Sequence, residues 1–177
     1  QGNTQNFALS VSQAASYNFV LNVAAATPEL SVTLGNVLVS CTLPDASEAA
    51  PFSIVGDGHL YVRGDHSGWN AEETYKMSYK GSNTYQAVAE FAGDINFKLA
   101  SNDGSWTTQL WAQNEDGSII TDSLAVGTTY NVAYKNAGTD NNATSLAQGT
   151  YSFTLTLNEA DPAQGDNVGT MLIQQCN

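Results

Sequence analysis

Apolar residues in this chain recur with a period of two rather than 3.6, and that pattern restricts its 177 residues to an all-β architecture. Thr84-Tyr85-Gln86-Ala87-Val88-Ala89-Glu90-Phe91 alternates, Gly93-Asp94 supplies turn residues, and Ile95-Asn96-Phe97-Lys98-Leu99 alternates again, which predicts a hairpin. In its second strand Ile95, Phe97 and Leu99 share one face, so Asn96 and Lys98 take the other. His59–Arg63, Gly117–Ile120, Thr129–Tyr134, Thr150–Leu157 and Val168–Ile173 read as further short strands, separated by turn residues such as Gly127 and Gly138. Helix signals are nearly absent. Ala71–Met77, with Asn70 as N-cap, offers a single turn that is too short to stand alone. Strand following strand at short intervals predicts a β-sandwich.

Three more alternating runs lie ahead of that body: Phe7–Val11, Tyr17–Val23 and Leu30–Leu34. The last two resemble the end of the chain, where Tyr151-Ser152-Phe153-Thr154-Leu155 leads through Asp161-Pro162 to a final strand. This weak internal repeat makes residues 1–43 look like the tail of a preceding module. Residues 44–51, acidic and bounded by Pro44 and Pro51, read as a linker, and residues 52–177 as the principal module. A two- or three-strand tail cannot bury its apolar face alone. Either it adds to the following sandwich, or Phe7, Leu9 and Val11 pair with another copy of the chain by strand exchange, which builds a fibre when the contact does not close.

Seventeen acids against five bases give a formal charge of −12. A protein so acidic repels phosphates, which argues against nucleic acid and anionic membranes as partners, and no apolar stretch reaches spanning length. The low charged fraction and abundant Ser, Thr, Asn, Gln and Gly match secreted bacterial surface proteins. The chain opens without an initiator Met or signal peptide, as expected of a processed product or an excised piece. Cys41 and Cys176 are the only cysteines. In an exported chain they are expected to form a disulfide rather than remain buried thiols, and without a neighbouring histidine they make a poor metal site.

Placed aromatics converge between Gly58 and Trp106. The Gly64-Asp65-His66-Ser67-Gly68 turn delivers Trp69 to a loop edge, and Asn102-Asp103-Gly104-Ser105 turns the chain into Trp106. A strand leading to "GW", an "FKLA" strand and then "DGSW" resembles the starch- and glycogen-binding modules of pullulanases, isoamylases and the AMP-activated kinase β subunit. The likeness runs from about Pro51 to Leu157. It implies an immunoglobulin-like β-sandwich, here with additional N-terminal strands, and an α-glucan ligand. The two family tryptophans that stack on glucose fall on Trp69 and Trp106, and the lysine that donates to hydroxyls falls on Lys98. A later "GTxNN" element matches Gly138–Asn142 and nominates Thr139 and Asn141. Asp65-His66-Ser67 departs from the Asn-rich approach to "GW", and Trp111 stands where the family has a small residue.

Each landmark has a plainer reading, Trp69 as a core anchor and Lys98 as a solvent-facing strand residue. Trp111 is expected to be structural, with a third platform as the alternative. Catalysis fares poorly: His59 and His66 sit in or beside a turn, no Gly-x-Ser-x-Gly elbow is present, and the many acids come without cleft-forming architecture. No metal or cofactor is expected, and the Asn114–Gly117 turn lacks the full calcium-loop signature. Arg63-Gly64-Asp65 belongs to a strand-to-turn transition and needs no adhesive role. Asn142-Ala143-Thr144 is a glycosylation sequon only where the machinery exists. The reading is therefore a non-catalytic α-glucan-binding module. The alternative is a subunit of an extracellular fibre that reuses the fold.

Overall fold

The computed structural model describes residues 52–136, 138 and 141–176, Cys41, and the backbone of two strands at 17–22 and 29–34. Those two strands, β1 (Tyr17–Asn22) and β2 (Glu29–Leu34), pair antiparallel from Tyr17↔Leu34 to Asn22↔Glu29. Among the described residues no ladder joins them to the main sheet. The strand-exchange candidates Phe7, Leu9 and Val11 and the expected linker at 44–51 lie outside the described residues.

The main sheet contains β3 (Tyr61–Gly64), β4 (Ser78–Gly81), β5 (Thr84–Ala100), β6 (Gln109–Gln113), β7 (Ser123–Leu124), β8 (Thr129–Lys135), β9 (Asn142–Leu157) and β10 (Gly165–Gln175). The pairing β5–β6–β8–β10–β9 returns to β5, so the sandwich closes into a barrel-like ring. β3 and β4 pair with β5, and β7 adds in parallel to β9. Helical structure among the described residues is confined to two 3₁₀ turns, Asp65–Ser67 and Glu73–Tyr75, and none is long and apolar enough to cross a membrane. The second turn is the one expected near Ala71, but its N-cap is Glu72 rather than Asn70.

One expectation is corrected here. Gly93-Asp94 does not turn the chain, and Thr84–Ala100 is one continuous strand. β5 runs against β9 from Thr84↔Thr156 to Phe97↔Asn142, with a register shift between Phe91 and Gly93. Across that shift β5 advances from Phe91 to Gly93 while β9 retreats from Gly149 to Leu146. The extra residue on β9 changes its inward-facing set from Tyr151, Phe153, Leu155 and Leu157 to Leu146, Thr144 and Asn142. Gly93, at φ +83, therefore marks a bulge within a strand rather than a hairpin loop. Gly117–Ile120 is likewise a turn with one isolated bridge, Gln113↔Ile119, and not a strand.

Inward-facing residues of the ring make one core. Phe153 packs between Phe91 and Phe97, at centroid distances of 4.9 and 5.2 Å. Val62, Leu99, Leu110, Ala112 and Val132 fill the half beneath β3, β5, β6 and β8. Gly64 is required by close approach: a Cβ there would meet the Asn96 carbonyl oxygen at 2.1 Å and the Phe97 Cβ at 2.9 Å. The expected disulfide is present, Cys41–Cys176. Cys176 N–H donates to the Thr150 carbonyl at 2.9 Å, so the bridge fastens Cys41 beside the last strand pair, β9 and β10.

Two outcomes are expected. Gly64→Ala should destabilise the fold by about 1–3 kcal/mol in urea titration, because β3 must move off β5 to admit the methyl group. The disulfide spans 135 residues, so the Cys41→Ser/Cys176→Ser protein should lose up to ~5 kcal/mol of stability on the loop-entropy account. Unfolding midpoints that coincide under oxidising and reducing conditions would contradict this.

Candidate functional site

Alternation on three neighbouring strands builds the floor of the site. Arg63 on β3 lies opposite Lys98 on β5, and Leu99 pairs with Leu110, so the face away from the core carries Arg63, Lys98, Gln109 and Trp111. Sequence alternation places Lys98 on this face correctly, but the face is roofed rather than open to water. Loops following β3, β5 and β8 fold across it, leaving Lys98 4% and Arg63 7% exposed. Trp111, at 1%, is buried on the same outer face. The Gly138 loop covers it so closely that a Cβ at Gly138 would stand 3.1 Å from the Trp111 Cη2, so Trp111 is structural, as expected.

Trp69 and Trp106 are both half-buried, and both sit at positive φ, +64 and +54. That conformation costs a bulky residue on the order of 1–3 kcal/mol, so each turn must hold it in place. In the first turn Trp69 N–H donates to the Gly64 carbonyl at 2.8 Å, while Ser67 Oγ receives the Gly64 N–H at 3.2 Å. Asp65 accepts from Trp69 Nε1 at 3.1 Å and from Asn96 N–H and Nδ2 at 3.1 and 2.7 Å. The Asn96 bonds, then the indole N–H, hold the Asp65 carboxyl below the usual carboxylate range. In the second turn Asp103 accepts from Ser101 Oγ and from Thr107 N–H and Oγ1, the latter two at 3.1 Å. Burial pushes the Asp103 carboxyl up, and these hydrogen bonds outweigh it, so its pKa is lowered.

The two indoles lie 6.2 Å apart and are inclined by 60°. Between them and the β8–β9 loop is an open cavity of about 480 Å³. Its lining brings together four of the five residues expected from the sequence: Trp69, Lys98, Trp106 and Asn141. Thr139 lies outside the described residues. Lys98 Nζ donates to Gln109 Oε1 at 2.8 Å and to the Gly138 carbonyl at 3.3 Å, and lies 5.5 Å from the Trp106 ring centroid. Gln109 Nε2 donates to the Trp106 carbonyl at 2.6 Å. Sequence reasoning missed Gln109, Ser105 and Asn136, which also line the cavity. Gln109 was findable, since it stands two residues before Trp111 and shares its face. Asn136 and Ser105 are loop residues without a periodic signal. Asn142, the last residue of the "GTxNN" element, is buried away from the site and holds Ala112 and Ile120 backbone groups.

No protein-family model matches the chain, and no curated protein matches it. A solved structure described as the ligand-induced structure of AmyP-SBD is similar over 94% of this chain and 100% of its own, at 22% identity and a TM-score of 0.46. Among the described residues no cluster of three or more His, Cys, Asp or Glu side chains is placed to hold a metal.

His66, in the turn that carries Trp69, is packed edge-on against Tyr75 at 4.4 Å and Phe91 at 5.1 Å. Its Nε2 donates to the Val62 carbonyl at 3.0 Å, and its Nδ1 is buried without a partner. Burial lowers its pKa, opposed by that bond and by Glu72 and Asp65. The folded state therefore favours the neutral ring. Its contribution to stability is complete above the ordinary value of about 6.5 and is lost as pH falls through the lowered folded value. Thermal unfolding of the wild type should shift downward between pH 7.5 and 5.5, and His66→Phe should flatten that shift. Equal pH dependence in both proteins would exclude the imidazole as its source.

Proposed function

We propose that this chain is a non-catalytic carbohydrate-binding module that recognises an α-glucan of the starch or glycogen type by stacking glucose rings on Trp69 and Trp106. One observation carries the reading: two half-exposed indoles, 6.2 Å apart and inclined by 60°, flank a cavity floored by polar side chains. A β-1,4-glucan is a flat ribbon that suits coplanar platforms. An α-1,4-glucan curves and presents successive ring faces at an angle, which suits an inclined pair. Apolar sugar faces meet the indoles and Asn141 orients hydroxyls, while Lys98 and Gln109, 4% and 1% exposed and bonded to each other at 2.8 Å, fix the floor beneath them. Thr139 joins them on the sequence resemblance.

Among the described lining residues the polar groups are carboxamides, a hydroxyl and an ammonium, which favour holding hydroxyls over transferring protons. The platforms are fixed by their own turns, so little ordering entropy is lost on binding. An open surface of this kind should bind a short oligosaccharide with Kd on the order of tens of μM to mM, and more tightly where several modules act on one polymer. The disulfide suits an oxidising compartment, which supports a secreted or surface-displayed protein, and a bacterial one on composition.

Titration with maltoheptaose or β-cyclodextrin, followed by tryptophan fluorescence, is expected to give a saturable change that cellohexaose does not. Trp69→Ala and Trp106→Ala should each weaken binding by about 2 kcal/mol, roughly 30-fold, without unfolding the chain. A wild-type protein that shows no change up to about 10 mM maltoheptaose would refute the glucan reading, since that lies well above the Kd range expected of such a surface.

A further inference from the structure

We propose that Arg63 is the positioning residue that locks both tryptophan platforms in their mutual inclination and leaves Trp106 only one face for a ligand. Its guanidinium carbon lies 3.5 Å from the Trp106 ring centroid, a stacking distance that covers that face of the indole. The same planar group donates through Nε at 2.9 Å and Nη2 at 2.7 Å to the Trp69 carbonyl, and through Nη1 to the Ser101 carbonyl. One side chain thus bridges the turn after β3, the turn after β5 and the face of Trp106. Arg63 is 7% exposed, so these contacts are made away from water. Trp69 is gripped at both ends by its neighbours in sequence, its carbonyl by Arg63 and its indole nitrogen by Asp65. Arg63-Gly64-Asp65 is a bracket for the platform, with Gly64 supplying the close approach to β5.

Lysine cannot substitute in this arrangement. The contacts need a flat, delocalised cation that stacks on a ring and directs several N–H groups in its own plane, whereas an ammonium is a compact point charge. With Arg63 beneath it, Trp106 offers only its outer face, and a sugar ring there leaves the next ring to meet Trp69. The sugar-binding arm of this inference rests on the glucan reading, and the positioning arm does not.

The test compares the wild type with Arg63→Lys and Arg63→Met, using Trp106→Phe as a reference. Two indoles this close and non-parallel couple excitonically, so the wild type should show a couplet in far-ultraviolet circular dichroism that Trp106→Phe lacks. Both Arg63 variants should lose most of it, and affinity for maltoheptaose should fall at least about tenfold, with Arg63→Lys failing to rescue. Should Arg63→Met fail to fold, Arg63→Lys, which keeps the charge and an aliphatic stem, carries the comparison. A couplet of equal size in the wild type and Arg63→Lys overturns the proposal. Lost affinity with an unchanged couplet overturns it too, because Arg63 would then act on the sugar directly. A wild type that binds no maltoheptaose refutes the glucan reading alone, and the couplet still decides whether Arg63 positions the indoles.

Discussion

The long antiparallel ladder between β5 and β9 is the constraint on which the rest of the module depends. One strand of 17 residues cannot lie flat against a single sheet of a small sandwich, so it must bend. The bend sits at Phe91–Gly93, where β9 contributes an extra residue. On one side of it β5 pairs with β4 and the second half of β9, and on the other with β3, β6 and the first half of β9. The bulge is what allows the chain to close into a ring while every inward position of β9 stays apolar or internally bonded, as Asn142 is by the backbone of Ala112 and Ile120 and Thr144 by the Leu124 carbonyl.

Closure has a consequence for the outer face of the sheet. β3, β5, β6 and β8 lie side by side there, and their non-core residues form a second layer of packing under the loops. Arg63 and Lys98, two of only five basic residues in a chain of net charge −12, are both buried in that layer. A buried charge is tolerated when its donors are satisfied. Arg63 meets carbonyl oxygens and an indole face, and Lys98 meets a carboxamide and a carbonyl. These cations do not attract a charged ligand across solvent. Arg63 holds the loops that carry the tryptophans, and Lys98 ties Gln109 to Gly138.

How much of this was legible in the sequence follows the range of each interaction. Period-two alternation located β5, β8, β9 and β10, because burial on one face is written directly into the residue order. The same alternation could not distinguish a turn from a bulge at Gly93-Asp94, since a positive-φ glycine serves both and only the register of β9, fifty residues away, decides. Gly117–Ile120 looked like a strand on composition but has one bridge to hold it. For the site, the family likeness supplied Trp69, Lys98, Trp106 and Asn141, and the structure gathers them around one cavity. Arg63 was read only as the end of a short strand and part of a tripeptide. Its contacts reach 6 residues forward to Trp69 and 38 to Ser101, and a link between two loops leaves no local periodic signal.

Backbone conformation bears on why such a surface would suit the proposed ligand, a sugar being poorly distinguished from water. A glucose face offers modest contact area and hydroxyls that are already well hydrated, so a mobile indole would gain little beyond its own loss of freedom. Here both tryptophans occupy a sparsely populated φ region, and carboxylates, backbone carbonyls and a guanidinium hold them there. The strain is carried by the folded state before any ligand arrives. It is offset by hydrogen bonds within the turns, so stacking does not have to supply it. That argument also accounts for the distribution of polar residues: the acids that order the turns, Asp65 and Asp103, have their oxygens turned to the protein, while Gln109, Asn136 and Asn141 line the cavity. Charged groups fix the frame, and the carboxamides of Asn136 and Asn141 are left to face the proposed ligand.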